Sequence, residues 1–479
     1  MNGDETGPGD RDAVVVGAGP NGLTAAAVLA DAGLDVAVLE ASDTPGGGVK
    51  TEELTIGGLA HDVCSAVHPF GAASPVFRDL ALEELGLRWR HPDVAVAHPL
   101  DDGSAACVLR DLDETAAALG RDGDVWRSLF SPLVEGWDDL ADEILRPVIH
   151  VPKHPLKLAR FGLQGLLPAS VVGRRFQTER GRALWAGIAA HSILPFDKPF
   201  TSAFALMMGA AGHAAGWPVA EGGSGAITDA LVQFLDERGV EIRTGTRVMG
   251  LDELPRTRAA LFDVTPRQLL AICGDALPPI TRRRYAKWRY GPAAFKVDLA
   301  VEGGVPWTAE SARRAGTVHL GGTLEEIAEA EQAVADGRVP DRPFVLLAQQ
   351  YVADPSRSVG DVHPVWAYCH VPNGWAGDAT EQILGQIERF APGFRDRIVE
   401  RTVLTPDWFE GHTPNSVGGD ISGGSHDGLQ LLGRPVLSPD PYRTGLPGVW
   451  LCSSSTPPGG GVHGMCGANA AASVLRALG

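Results

Sequence analysis

The run Ala13-Val14-Val15-Val16-Gly17-Ala18-Gly19-Pro20-Asn21-Gly22 constrains this chain more than any other stretch. An apolar, β-branched segment ends at a glycine, and residues 23–30 that follow are good helix formers. The order is strand, glycine turn, helix. Gly17 permits the tight turn, Gly19 admits a close backbone approach, and Gly22 lets the helix pack on the strand. Pro20 and Asn21 fall at the helix start, where free N–H groups and the helix dipole favour an anion. Residues 35–40 read as a second strand ending in the acid expected about 20 residues on. Glu40, with Ala41 beside it, can accept hydrogen bonds from both hydroxyls of a ribose. No arginine follows at once, so a 2′-phosphate is not expected. The stretch predicts a dinucleotide-binding strand–helix–strand unit.

The 479 residues are too many for one core and predict two or three domains. A hydrophobic content of 44% with 21% charged residues fits a globular enzyme. The net charge of −18 argues against a nucleic-acid partner. Residues 1–12 are polar and lack an apolar run, which predicts a frayed tail and no secretory signal. The six cysteines form no CxxC pair, so neither a structural metal site nor a disulfide framework is expected. A cytoplasmic location follows as the expectation.

Further along, Gly46-Gly47-Gly48 follows the acid closely, and a helix is expected over 76–85. Asp101-Asp102-Gly103 predicts a hairpin turn between two short apolar strands. Residues 111–145 have a helical pattern. Residues 150–176 carry Lys153, Lys157, Arg160, Arg174 and Arg175 with no acid, interleaved with leucines and valines. Such a segment suits an anionic membrane surface or a solvated helix face. Glu221-Gly222-Gly223-Ser224-Gly225 and the strands expected at 240–243, 246–248 and 259–264 return to the opening pattern. Another domain is therefore inserted into the first. Phe295 to Val301 alternates as a strand, and 344–351 and 364–371 read as two more. At the C-terminus a strand at 448–452, the turn 453–461 and a helix opening at Val462-His463-Gly464-Met465 form a second glycine turn feeding a helix N-terminus.

Taken together, these segments resemble the FAD-dependent, phytoene-desaturase-like branch of the flavin amine-oxidase superfamily. The resemblance implies an α/β fold: a discontinuous Rossmann-type FAD-binding domain with an inserted α+β substrate domain, a mixed sheet under a helical cap. The FAD domain is expected at 1–75, 216–294 and 432–479. The substrate domain is expected at 76–215 and 295–431, with 111–215 mainly helical. It implies non-covalent FAD with Glu40 on the adenosine ribose. Gly17, Gly19, Gly22, Gly47 and Gly48 would line the pyrophosphate, and the Val248 backbone would meet the adenine. Ser454 would lie near the ribityl chain, and Val462, His463 and Met465 under the isoalloxazine.

The resemblance also singles out Lys296, which holds a water against the flavin in amine oxidases; the competing reading pairs it with Asp298. His191, in an apolar run, is the other catalytic candidate, as an acid or base. His61 and His68 follow it. The favoured expectation is a dehydrogenase or desaturase acting on an apolar, isoprenoid-like small molecule, with 150–176 as an entry lid at the inner membrane face. A soluble amine or amino-acid oxidase is the alternative, and a FAD-bound protein without catalysis the second. Aromatic content is only 6%, and no pair of tyrosines stands out as an amine cage. The sequence specifies neither the electron acceptor nor the oligomeric state.

Overall fold

The apolar strand at the start of the chain is buried on both faces, as parallel strands covered by helices require. The computed structural model describes residues 10–479. It forms β1 (Arg11–Val16), α1 (Pro20–Asp31) and β2 (Val36–Leu39). β1 already includes Arg11 and Asp12, so the tail expected through residue 12 ends sooner; residues 1–9 of it lie outside the described residues. A parallel five-stranded sheet has the order Val449–Leu451, Thr257–Phe262, β1, β2, Glu241–Arg243. Its strands come from distant parts of the chain. The C-terminal helix Met465–Leu478 packs along α1, and a Cβ on Gly467 would collide with the Asn21 carbonyl. Both helix N-termini therefore open on the same end of the sheet.

A second, seven-stranded sheet has the order Ile398–Leu404, Ala293–Glu302, Val362–Val371, Val345–Ala348, Ala315–Leu320, Val94–Pro99, Ala105–Val108. It is antiparallel except where Ala315–Leu320 runs parallel to Val94–Pro99. Strand alternation separates its faces. Phe295, Val297, Leu299, Val365, Ala367 and Cys369 join one wholly apolar core beneath the helix Thr380–Phe390. The opposite face carries Lys296, Asp298, Trp366, Tyr368 and His370. It meets a helical layer that includes Gly123–Val134, Glu179–Ala189 and Thr201–Ala214.

Several local expectations change. The helix expected over 76–85 is only Pro75–Asp79, capped by Ser74. Leu80 and Leu82, two residues apart, both enter one core, a spacing no helix face offers, and Ala81 takes φ +51° between them. Residues 246–248 form no strand: the Thr246 N–H donates to the Glu40 carbonyl (2.7 Å) and Val248 turns into the core under β1. The strand expected over 344–351 stops at Ala348. The Gln349 side chain accepts from Trp307 Nε1 (2.9 Å) and donates to the Ala312 and Ala315 carbonyls, and a helix starts at Gln350.

The segment 150–176 forms the helices Pro155–Gly165 and Ala169–Gly173. The fold supplies the acids its own sequence lacks. Asp142 pairs with Lys153 (2.8 Å) and Asp139 with Lys157. Arg160 and Arg174 are exposed and make no ion pair among the described residues. Val151, Leu156 and Leu163 are 89%, 85% and 70% exposed, beside exposed Val148 and Leu166. No helix among the described residues is long and apolar enough to cross a membrane.

Candidate active site

The glycine turn forms a cradle that side chains could not share. Gly17 takes φ +102°, and a Cβ on Gly22 would collide with the Gly17 carbonyl. The loop Gly46-Gly47-Gly48 lies directly on it: Gly47 has φ +56°, and its Cβ would stand 3.1 Å from Gly19 Cα. Gly48 faces Cys64. Glu40 is buried at the end of β2. Its Oε2 accepts from the Ala18 N–H (2.6 Å) and its Oε1 from the Ser42 N–H (2.7 Å). Those bonds orient the carboxylate and leave lone pairs for hydroxyl donors.

Two residues join this cradle that the sequence reading missed. Asp263, at the end of the strand beside β1, accepts from the Gly22 N–H (2.9 Å), and a Cβ on Gly19 would lie 2.7 Å from its Oδ2. Burial, reinforced by the Glu40 charge, pushes the Asp263 carboxyl up to about 7. An acid at the C-terminal end of a central parallel strand, where α/β sheets bind ligands, was a usable signal. Arg434 is buried and forms no ion pair among the described residues. It donates to the carbonyls of Ser422 (2.8 Å), Ser454 (3.0 Å) and Gly424 (3.3 Å), and its Nε has no partner. Nothing in the local sequence announces that position.

The closure at the C-terminus completes the cradle. Gly464, at φ +67°, opens the terminal helix. Burial holds the His463 imidazole down to about 4, and its Nδ1 accepts the Met465 N–H (3.0 Å). The Ser74 hydroxyl donates to the His463 carbonyl (2.7 Å). Met465 packs against both neighbouring cores, and Val462 is half-buried beside it. Asn21 Oδ1 and Arg434 Nε are buried without partners. A carboxylate set for a ribose, a turn of free N–H groups and these unmet polar atoms fit a flavin dinucleotide.

Lys296, on the strand Ala293–Glu302 of the second sheet, is fully buried. Its Nζ donates to the Asp62 carbonyl (2.8 Å), the Val63 carbonyl (2.9 Å) and Asp298 Oδ2 (2.6 Å). All of an ammonium's donors are thereby used. Asp62 is itself buried and holds the Ser224 N–H (2.7 Å) and the Arg357 guanidinium (2.9 Å). Burial pushes the Asp62 carboxyl up, but Arg357, the Ser224 N–H and His68 together outweigh it and leave the group below its usual range. His61 contacts Asp298 (3.4 Å), and His68 shares a hydrogen bond with Ser224 (2.9 Å). This buried network ties residues 60–64 to the second sheet.

His191 closes the helix Glu179–Ala189 and reaches His319 of the second sheet, Nε2 to Nε2 at 3.1 Å. Burial holds it down to about 3, so at neutral pH it is an uncharged hydrogen-bonding group. Ile193, two residues on, takes φ +54°, a strained conformation for a β-branched residue. The preceding Ser192 carbonyl accepts from His426 Nδ1 (3.1 Å), next to the Arg434 loop. The structure thus sets Lys296 and His191 on different parts of one face.

Residues 21–277 match the model of the flavin containing amine oxidoreductase family. The chain belongs to that family. It is 26% identical to the Mus musculus pyridine nucleotide-disulfide oxidoreductase domain-containing protein 2, over 98% of this chain and 94% of that one. It is also 26% identical to hydroxyneurosporene desaturase of Cereibacter sphaeroides, over 97% of each. The structure resembles putrescine oxidase with bound putrescine, at TM-score 0.60 and 18% identity over 98% of this chain and 99% of that one. Cyclohexylamine oxidase from Brevibacterium oxydans gives 0.58 and 16%, over 98% and 99%. These structural likenesses show the fold, a Rossmann-type FAD domain with an inserted substrate domain. The protein is a FAD-dependent oxidoreductase.

Proposed function

We propose that the protein takes a hydride from an apolar, isoprenoid-like small molecule, as a dehydrogenase or desaturase. The observation that carries this reading is the charge balance of the sheet face opposite the helical layer. Each carboxylate there already has a basic partner: Asp298 has Lys296, and Glu331 has His370 at 2.8 Å. Among the described residues a substrate ammonium would find no unpaired carboxylate on this face, whereas an apolar surface finds Val67, Phe70, Met207 and Trp366. FAD, when bound, accepts the hydride at its N5.

In this reading the segments 1–75, 216–294 and 432–479 hold the cofactor, and 76–215 with 295–431 hold the substrate. Glu40 takes the adenosine ribose, and the Gly17–Gly22 turn with Gly47 and Gly48 takes the pyrophosphate. Val248, Ser454, Val462, His463 and Met465 fill the places the family resemblance gives them. Lys296 is a positioning residue that fixes the Asp62–Val63 backbone. Cofactor attachment stays non-covalent because the available thiols are inert: burial pushes Cys466 up to about 12, and its Sγ is turned to the Thr456 and Gly459 carbonyls. The exposed leucines and valines of 148–171, with unpaired Arg160 and Arg174, form a surface for an anionic membrane from which such a substrate would enter.

The test is anaerobic bleaching of the yellow protein by lipid-soluble and water-soluble fractions of a host extract. Bleaching by the lipid fraction is expected. Bleaching by the aqueous fraction alone, reproduced by simple amines, would replace this reading with that of an amine oxidase.

A further inference from the structure

The two faces of the seven-stranded sheet differ in a way that core packing does not require. On one face the buried side chains are apolar, with Arg401 at its exposed edge. The other, equally buried, carries imidazoles on three separate strands: His98, His319 and His370. Aromatic and imidazole rings run without a break along this face. Trp366 meets Tyr368 (5.0 Å), Tyr368 meets His370 (5.5 Å), Phe344 bridges His370 (5.9 Å) and His319 (5.6 Å), and His319 meets His191 (5.1 Å).

Buried polar atoms are normally paired, and unpaired ones need an explanation. His98 donates from Nε2 to the Gly322 carbonyl (2.7 Å), which leaves Nδ1 as an acceptor with no partner. His319 Nδ1 also has none, and both nitrogens converge on the space beside Gly187, where a Cβ would meet each at 2.8 Å. His370 holds Glu331 through Nδ1, leaving Nε2 without a partner. His191, just beyond the helix Glu179–Ala189, is only partly buried, unlike His98, His319 and His370. Its Nδ1 has no partner among the described residues, while its Nε2 is backed by His319.

We infer that His191, backed by His319, is a specificity site for a single uncharged oxygen function, a hydroxyl or carbonyl, on an otherwise apolar substrate. This rests on the apolar reading above and narrows it. The chemistry selects that class. Burial keeps His98, His191 and His319 neutral, so a carboxylate meets no compensating charge. An ammonium meets no free carboxylate. A hydroxyl can donate to or accept from a neutral imidazole at full strength in a site that excludes water, whereas a pure hydrocarbon leaves the ring nitrogen unmet.

The experiment compares citronellol with 2,6-dimethyl-2-octene, the hydrocarbon of the same skeleton, by titrating each anaerobically into the FAD-loaded protein and following the visible flavin spectrum. The alcohol is expected to bind about tenfold more tightly. His191→Phe is expected to bring the ratio to about one while changing hydrocarbon affinity little, and His191→Gln to retain most of the preference. Equal affinities in the native protein, an unchanged ratio in His191→Phe, or no spectral response to either probe would overturn the inference. Binding is read without turnover. Preferential binding of the alcohol in a protein that no lipid fraction bleaches would keep this site and reject hydride transfer, so the two failures are distinguishable.

Discussion

Replacing Asp263 by Asn should stabilise the protein, and more so at alkaline pH. The carboxyl is buried against the glycine turn, with Glu40 as the nearby charge that opposes its ionisation and the Gly22 N–H as the donor that favours it. Its folded value is about 7, against 3.8 for an unperturbed aspartate. The folded chain therefore binds the proton more tightly than the unfolded chain. Stability is greatest below the unfolded value and falls as pH rises towards 7. The full penalty is about 4 kcal/mol once the group is ionised in both states. Between pH 5 and pH 8 the native protein should lose about 2.5 kcal/mol through this group alone. Asn keeps an acceptor for the Gly22 N–H and does not titrate, so Asp263→Asn removes that slope. The assay is the urea midpoint of native and variant proteins at both pH values, with FAD affinity from flavin fluorescence. The variant's advantage should be larger at pH 8, and its FAD should bind more tightly there because an anion beside the cofactor phosphates is gone. An advantage equal at the two pH values, or a loss of stability at pH 8, would refute the reasoning.

Gly22→Ala should purify colourless, because its Cβ would collide with the Gly17 carbonyl and displace the turn; flavin content per chain is the readout. His463→Ala removes the acceptor of the Met465 N–H and should lower stability by about 1 kcal/mol, measured by urea unfolding, with weaker FAD retention. Lys296→Met strands buried Asp298 and should destabilise the protein by about 3 kcal/mol or more, far beyond any change from a solvent-facing lysine. The double variant Arg160→Glu, Arg174→Glu should lose sedimentation with anionic vesicles and keep its flavin; unchanged sedimentation would remove the membrane surface from the account.

What the sequence disclosed was local. Strand, glycine turn, helix and acid occupy 28 consecutive positions from Ala13 to Glu40, so their geometry follows from backbone rules alone. The closing turn and helix at 453–478 is legible for the same reason. The hairpin around Asp101-Asp102-Gly103 formed as its turn residues direct. The polar sheet face proposed to meet substrate was not legible, because it depends on which side of each strand meets the helical layer. His98, His319 and His370 lie on three strands, and no spacing links them. Lys296 illustrates the limit well: alternation places it on the polar face, but only the tertiary approach of Asp62 and Val63 takes up its protons. Likewise, two of the five basic residues of 150–176 are paired by Asp142 and Asp139, which lie on a different helix.

The central claim, hydride removal from an apolar molecule, is tested most directly by identifying what a single turnover changes. The FAD-loaded protein is mixed anaerobically with host lipid extract, and the extract is compared by mass spectrometry before and after bleaching. The account predicts one lipid species that loses a pair of hydrogen atoms in proportion to the flavin reduced, and whose loss ceases when the flavin is fully bleached. Bleaching with no such lipid, or a new aldehyde and ammonia from an aqueous amine, would contradict it.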